Sequence, residues 1–223
     1  MSQKTIFITG GNRGIGRGLV DRLCNKHHVI FTSRKHIDDV PVGSTCLIMD
    51  VTNDSSIKQA TQQLTTPIDI LINNAGILPD YQTPTLESDI AMIEQTFSTN
   101  TLGPLRVAKA IVPKMNEGGR IINISSGMGQ LSDMGSGAIA YRLSKTSLNA
   151  LTRVLHNELK AKNISVNCLC PGWVKTDMGG PNAHRSIEES VEKIMPLLFD
   201  ESIQGGLFYR DAQVIDTIKY QKP

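Results

Sequence analysis

Short runs of consecutive apolar and β-branched residues alternate along the chain with longer stretches whose apolar residues recur at helical spacing. Because the short runs are continuous, they predict strands that are buried on both faces. The predicted strands are 5–9, 28–32, 46–49, 68–72, 120–124 and 165–169. The predicted helices are about 14–25, 55–64, 86–115 with an interruption, 141–160 and 187–198. This order predicts an α/β fold with a doubly wound parallel sheet and helices on both faces.

The composition is that of one ordinary globular domain. The chain has 223 residues, 39% hydrophobic and 20% charged, and no repeat or linker divides it, so a single domain over 1–223 is predicted. The net charge is +2 and the cations are scattered, which does not support nucleic-acid or membrane-surface binding. No stretch approaches the roughly 20 apolar residues of a membrane span and no signal peptide is seen, so a cytoplasmic location is expected. The four cysteines lack metal-site spacing, and no metal is expected.

A glycine-rich turn, TGGNRGIG at 9–16, follows the first predicted strand. In doubly wound sheets, ligands bind at the carboxyl ends of the strands. Glycines at such a turn let the backbone approach a pyrophosphate and aim helix amides at its charge, although an ordinary glycine-rich turn is the alternative. The candidate cofactor-binding residues of this Rossmann-type turn are Gly10, Asn12, Arg13, Gly14, Ile15 and Gly16.

The end of the second strand indicates which dinucleotide is bound. Ser33 and Arg34 stand where an acidic residue would accept the ribose hydroxyl of NAD(H). Arg34 can instead pair with a 2′-phosphate and Arg13 can add a second cation, so NADP(H) is favoured over NAD(H). After the third strand, Asp50 and Val51 are placed to contact the adenine, although Asp50 could equally cap the next helix.

A small polar turn, NNAG at 73–76, follows the fourth strand. A turn of small residues at this strand end suits packing against a flat nucleotide, and a simple turn is the alternative. Asn74, Ala75 and Gly76 are therefore further candidates for cofactor binding.

These motifs together strongly resemble the short-chain dehydrogenase/reductase family. They occur in the order TGGNRGIG, NNAG, Asn100, Ser126, YRLSK at 141–145 and PGWV at 171–174. The resemblance covers nearly the whole chain, from residue 5 to about 178. The segment PGWVKTDMGGPNA is most similar to the carbonyl reductase and C-factor-like branch of the family.

The resemblance implies a catalytic tetrad of Asn100, Ser126, Tyr141 and Lys145. Ser126, with Ser125 as the less favoured alternative, would hold the substrate oxygen. Asn100 would anchor a water that connects Lys145 with solvent, and Lys145 would bond the nicotinamide ribose. The resemblance also implies cofactor contacts from Pro171, Gly172, Val174 and Thr176.

The spacing within YRLSK has a chemical interpretation. Tyr141 and Lys145 lie one helical turn apart and share a helix face. At about 4 Å and an effective dielectric of about 20, an ammonium favours a phenolate by roughly 4 kcal/mol, on the order of three pKa units. We therefore expect Lys145 to lower the pKa of Tyr141 toward neutrality, where general acid–base transfer is efficient.

Apolar residues on the loops near the tetrad predict the substrate pocket. Methionines make an adaptable lining, which predicts tolerance for several aldehydes, ketones or quinones, and core packing of the methionines is the alternative. A capping box of Ser186 and Glu189 begins the last predicted helix. The candidate pocket residues are Leu78, Met128, Leu131, Met134, Trp173 and Met178.

The motifs favour NADPH-dependent reduction of a small-molecule carbonyl substrate, which is reversible as alcohol oxidation. The alternative is a nucleotide-binding signalling or regulatory protein that keeps the fold and little catalysis. A homodimer or homotetramer is predicted from the resemblance, with a monomer left open. The tail 211–223 contains no motif and is expected either to close the pocket or to pack.

Overall fold

The structure, a computed structural model, describes residues 2–215. Its strands are β1 (Thr5–Ile8), β2 (His28–Ser33), β3 (Ser44–Ile48), β4 (Ile68–Asn73), β5 (Met115–Ile124), β6 (Ser165–Leu169), β7 (Phe208–Arg210) and β8 (Gln213–Val214). Its α-helices are α1 (Gly14–Leu23), α2 (Asp54–Gln62), α3 (Ile90–Phe97), α4 (Gly103–Ile111), α5 (Ile139–Leu159) and α6 (Ile187–Phe199). The capping box of Ser186 and Glu189 is present at the start of α6.

The strands form one sheet in the order β3-β2-β1-β4-β5-β6-β7-β8. Neighbouring strands are parallel except β7 and β8. The predicted α/β fold with a doubly wound sheet is confirmed, and the strand order reverses between β1 and β4, where such sheets form their ligand crevice. Residue 1 and residues 216–223, which belong to the predicted domain and tail, lie outside the described residues.

Apolar side chains cover both faces of the sheet. Ile6 and Ile8 of β1 pack on one face with α1 and α6, whereas Phe7 packs on the other with α2, α4 and α5. Successive strand residues point to opposite faces, so a strand covered on both sides needs a continuous apolar run. The helix residues of these two layers are Leu19, Val20, Leu23, Val191, Ile194, Leu197 and Leu198, and Ile57, Ala60, Val107, Ala108, Ile111 and Leu155.

The predicted helix 86–115 is in fact several helical segments. Between α3 and α4 the chain forms a short π-helix at Ser98–Leu102. The π-helix is rare in proteins, and where it occurs it often lies at a functional site. The predicted end of this helix is wrong, because Met115 already begins β5. The strands β7 and β8 were not predicted, since they have only 3 and 2 residues and no continuous apolar run.

The first turn of α5 is held by a carboxylate from a distant loop. Asp80 is fully buried, and its Oδ2 accepts a hydrogen bond of 2.7 Å from the backbone N–H of Ala140. No side chain of the adjoining residues caps this helix, and Ala138 before it has a left-handed φ of 48°. Asp80 thus satisfies an amide at the start of α5, where a negative charge also complements the helix dipole.

Replacing Asp80 by alanine removes this cap and should lower the free energy of unfolding by about 0.5–2 kcal/mol. Asp80→Asn retains an oxygen acceptor and should lose less than half as much. Urea unfolding of the two variants checks this, with the exposed Asp133→Ala as the matched control. Equal losses for Asp80→Ala and Asp80→Asn would contradict the capping role.

Candidate active site

A cleft of about 1550 Å³ opens at the carboxyl edge of the sheet. It extends from the ends of β1, β2 and β3 to the start of α5 and the segment after β6. The predicted site residues that line it are Gly10, Asn12, Arg13, Gly14, Ile15, Ser33, Arg34, Asp50, Val51, Asn74, Ala75, Gly76, Tyr141, Lys145, Pro171, Thr176 and Met178. The predicted site residues outside its lining are Gly16, Leu78, Asn100, Ser126, Met128, Leu131, Met134, Gly172, Trp173 and Val174.

The glycine turn leaves helix amides free at one end of the cleft. Gly10 and Gly14 have φ angles of 67° and 56°, which favour glycine. No side chain caps α1, and its first turn contains no acidic residue. These free amides and their dipole suit a pyrophosphate, so the cleft fits a dinucleotide. Gly16 serves packing, because a Cβ there would stand 2.2 Å from the carbonyl oxygen of Gly10.

Arg13 and Arg34, the two cations predicted to bind the 2′-phosphate, differ in their partners. Arg13, the predicted second cation, forms an ion pair of 2.5 Å with Asp177. Arg34 forms no ion pair within residues 2–215 and borders the cleft near Asp50. The charge of Arg34 therefore has the greater capacity to bind a phosphate.

Asp50 does not cap the next helix. Its Oδ1 accepts hydrogen bonds from the N–H and the hydroxyl of Thr52, and Asn53 caps α2 instead. Burial acts to raise the pKa of Asp50, but the hydrogen bonds from Thr52 and the charge of Arg34 leave that pKa below its usual value. The capping alternative is therefore wrong, and Asp50 presents a carboxylate to the cleft.

The NNAG turn ties β4 to the glycine turn. Asn74 donates its side-chain amide to the carbonyl oxygens of Thr9 and Gly10 at 3.0 and 2.9 Å. The hydroxyl of Thr9 accepts from the backbone N–H groups of Asn74 and Ala75. These bonds hold the NNAG turn against the glycine turn. Asn74, Ala75 and Gly76 also line the cleft.

Tyr141 and Lys145 lie together on the buried face of α5. The side chain of Ser126 lies near the Tyr141 phenol and acts to lower the pKa of that phenol, and its hydroxyl accepts a hydrogen bond from the N–H of Met128 at 3.2 Å. Lys145 Nζ lies 5.5 Å from the centre of the Tyr141 ring and donates to the carbonyl oxygen of Ile124 at 2.8 Å. Ser125 borders the cleft, but its hydroxyl donates to Asn149 at 2.6 Å, so Ser126 is the serine that reaches Tyr141.

Burial controls the protonation of this pair. It raises the pKa of Tyr141 to about 12, although the nearby Ser126 side chain acts in the opposite direction. Burial also lowers the pKa of Lys145 to about 8. The expectation that the pKa of Tyr141 lies toward neutrality is therefore wrong, because desolvation of the phenol outweighs the interactions that favour its phenolate. The phenol is protonated at neutral pH.

Asn100 lies on the buried side of the π-helix and does not line the cleft. Its amide nitrogen donates to the carbonyl oxygen of Ile77 and to the Ser144 hydroxyl, and its oxygen accepts from the N–H of Ile77. A Cβ added at Gly76 would lie 3.3 Å from Asn100 Oδ1 and 3.6 Å from Lys145 Nζ. Asn100 thus shapes the loop beside Lys145.

The predicted pocket residues lie on the rim rather than in the core. Leu131, Met134 and Met178 are exposed, and Leu78 and Met128 are half-buried. The alternative that these methionines fill the core is wrong, because none of the three is among the buried residues. Their exposure leaves them available to a ligand, although among these five only Met178 lines the cleft.

Trp173 also stands on this rim. Its indole N–H donates to the carbonyl oxygen of Gly179 at 2.7 Å, and its ring meets His184 edge-on. The tryptophan therefore braces the loop after β6, and its exposed part faces outward from that loop.

Arg185 anchors the same loop to the last hairpin, a role that the sequence motifs missed. Its guanidinium donates to the carbonyl oxygen of Pro171 and forms two hydrogen bonds of 2.8 and 2.9 Å with Asp211. Gly172 beside it has a φ of 85°, and Val174 is buried. The Pro-Gly motif identified the segment 171–176 from the sequence. It did not reveal Arg185, because Arg185 pairs with Asp211, which lies 26 residues later in the chain.

Within residues 2–215, no group of three or more histidine, cysteine, aspartate and glutamate side chains is arranged to hold a metal ion. No helix in that range combines the length and apolarity that a bilayer span requires.

Comparison with known proteins places this site in a family. The profile described as short chain dehydrogenase matches residues 4–186. C-signal of Myxococcus xanthus is 39% identical over 142 residues, which cover 62% of this chain and 85% of that protein. Carbonyl reductase (NADPH) 1 of Rattus norvegicus is 28% identical over 268 residues, covering 93% of this chain and 96% of the rat protein.

A solved structure gives the same result. The NADPH-bound carbonyl reductase from chicken fatty liver superimposes with a TM-score of 0.87 at 28% identity, over 97% of this chain and all of that one. The resemblance predicted from the sequence motifs, including its carbonyl reductase and C-factor-like relatives, is confirmed. Because the matching profile spans most of its length, the chain belongs to the short chain dehydrogenase family.

Proposed function

We propose that the protein reduces the carbonyl group of small aldehydes, ketones or quinones with NADPH, and that Tyr141 donates the proton. The observation that carries the proposal is the buried phenol of Tyr141, which lies near Ser126 and Lys145 and borders a dinucleotide-sized cleft. The rat and chicken relatives, which are named as NADPH carbonyl reductases, support it.

The cofactor would be held along the carboxyl edge of the sheet. The free amides of α1 would bind its pyrophosphate, and Arg34 would bind its 2′-phosphate. Asp50 and Val51 would contact the adenine, and Lys145 and Thr176 would hold the nicotinamide end. When bound, the reduced nicotinamide supplies the hydride.

The protein's own residues would manage the oxygen and its proton. Ser126 and Tyr141 orient the substrate oxygen by hydrogen bonds, and Tyr141 then transfers its proton as negative charge develops there. The phenolate that remains is stabilised by the ammonium of Lys145. The phenol carries its proton at neutral pH and can donate it, and the cellular ratio of reduced to oxidised cofactor sets the direction of the reaction.

The second candidate function is signalling or regulation by a nucleotide-binding protein with weak catalysis. The similarity to C-signal favours it. A binding protein has no use for a proton donor paired with a buried lysine, so catalysis distinguishes the two functions. A cytoplasmic location stays a prediction, and gel filtration would distinguish the predicted dimer or tetramer from a monomer.

Tyr141→Phe removes the proton donor and should lower kcat for carbonyl reduction by about 10²- to 10⁴-fold. NADPH absorbance with a panel of aldehydes, ketones and quinones measures kcat, and fluorescence titration should show unchanged NADPH affinity. The exposed Tyr81→Phe is the control and should keep full activity. Equal rates for Tyr141→Phe and wild type would favour the regulatory function.

Arg34→Ala should weaken NADPH binding by about 10- to 100-fold, because a hydrogen-bonded charge pair contributes about 1.5–3 kcal/mol. NADH lacks the 2′-phosphate, and its dissociation constant should change little. Titration of both cofactors measures the effect, with the exposed Arg153→Ala as the control for net charge. A similar loss for the two cofactors would remove the argument for NADPH.

The rate of reduction should fall as the pH rises through about 8, the pKa of Lys145. Below that pH the amine carries the charge that stabilises the phenolate, and above it the charge is lost. A profile of kcat/KM between about pH 6 and 10 measures this decrease. Lys145→Arg keeps a cation over the whole range and should remove the decrease, whereas a wild-type kcat/KM that does not change with pH would contradict the role of the ammonium.

A further inference from the structure

Arg210, the last residue of β7, is a half-buried cation that the proposed mechanism does not use. Its Nε donates to the sulfur of Cys170 at 3.4 Å. Within residues 2–215, its two terminal nitrogens form no hydrogen bond and the guanidinium forms no ion pair. Partly buried guanidinium groups are ordinarily paired, so these donors are available to a ligand.

The guanidinium lies beside Ser126. A Cβ added at Gly127, the next residue along the chain, would stand 2.2 Å from Arg210 Nη2. The N–H of Gly127 donates to the same Cys170 sulfur that Arg210 contacts. The side chain of Arg210 therefore covers the turn that presents Ser126 to Tyr141.

The sheet order separates this cation from the nucleotide end of the cleft. The glycine turn and Arg34 follow β1 and β2, whereas Ser126, Cys170 and Arg210 stand at the ends of β5, β6 and β7. Arg210 thus stands at the other end of the carboxyl edge from the residues that suit the pyrophosphate, beside the turn of Ser126, which would hold the substrate oxygen.

The nearest acidic residue in the chain is already engaged. Asp211 follows Arg210, but both of its carboxylate oxygens are bonded to Arg185. Among residues 2–215, no carboxylate therefore forms an ion pair with the Arg210 guanidinium. Its planar fork matches a carboxylate, which it can bind by two parallel hydrogen bonds.

We propose that Arg210 determines substrate specificity by binding a carboxylate carried by the carbonyl substrate at a distance from the reacting group. This inference rests on the proposed carbonyl reduction and narrows its substrate class to aldehydes and ketones that carry an acid. Leu131 and Met134 follow Gly127 along the chain, and their exposed apolar side chains suit the carbon skeleton of such a substrate.

Two substrates of similar shape test this inference, 4-carboxybenzaldehyde and its uncharged methyl ester. The wild type should prefer the acid, and Arg210→Gln should lower kcat/KM for the acid by about 10- to 100-fold while changing that for the ester less than about threefold. Arg153→Gln, which removes an exposed cation from α5, should leave both substrates unchanged.

A second variant moves the guanidinium without removing its charge. Gly127→Ala places a methyl group where Nη2 now lies, and the end of the flexible arginine must shift. It should reduce the ratio of kcat/KM for acid over ester. A ratio equal to that of the wild type in both Gly127→Ala and Arg210→Gln would overturn the specificity role, as would equal losses for acid and ester in Arg210→Gln.

The failure of this inference can be distinguished from failure of the proposed function. Wild-type reduction of the ester without preference for the acid would overturn the inference alone. An absence of turnover on every carbonyl compound would overturn the proposed function, and calorimetry with benzoate and benzamide would then decide the inference. The wild type should bind benzoate more tightly than benzamide, and Arg210→Gln should bind the two equally. Equal binding of benzoate and benzamide by the wild type would overturn the inference.

Discussion

Burial of two titratable side chains on one face of α5 is the constraint on which the site depends. Removal from water raises the pKa of the Tyr141 phenol and lowers that of the Lys145 amine. The surrounding structure maintains this burial, because Asp80 fixes the start of the helix and the Ile124 carbonyl holds the ammonium. A neutral acid beside a cation that titrates near physiological pH is the result, and it suits delivery of a proton to oxygen.

The sheet order places two groups of polar and cationic residues at opposite ends of the carboxyl edge. The ends of β1 and β2 present free amides and Arg34, which suit phosphate groups, and the ends of β5 to β7 present Ser126 and Arg210, which suit a polar organic ligand. Parallel strands place all these groups at one edge, so residues far apart in the chain meet there. The proposed proton transfer from Tyr141 would take place at the same edge.

The sequence was most informative where the physical requirement is local. Strands covered on both faces need continuous apolar runs, and the turn at Gly10 and Gly14 needs residues that accept a positive φ. These features identified the fold and most of the cleft. The Asp80 cap was not predictable, because it joins residues 60 positions apart. The sign of the Tyr141 pKa shift was also missed, since spacing reveals proximity to Lys145 but not the extent of burial.

The ion pair between Arg13 and Asp177 has a consequence for access to the cleft. It joins the glycine turn to the loop after β6, and both side chains are largely exposed. Exposed pairs contribute at most about 1 kcal/mol and are screened by salt. The side-chain contact across the rim is therefore weak and sensitive to salt, whereas the Asn74 bonds to Thr9 and Gly10 hold the floor of the cleft from within the fold.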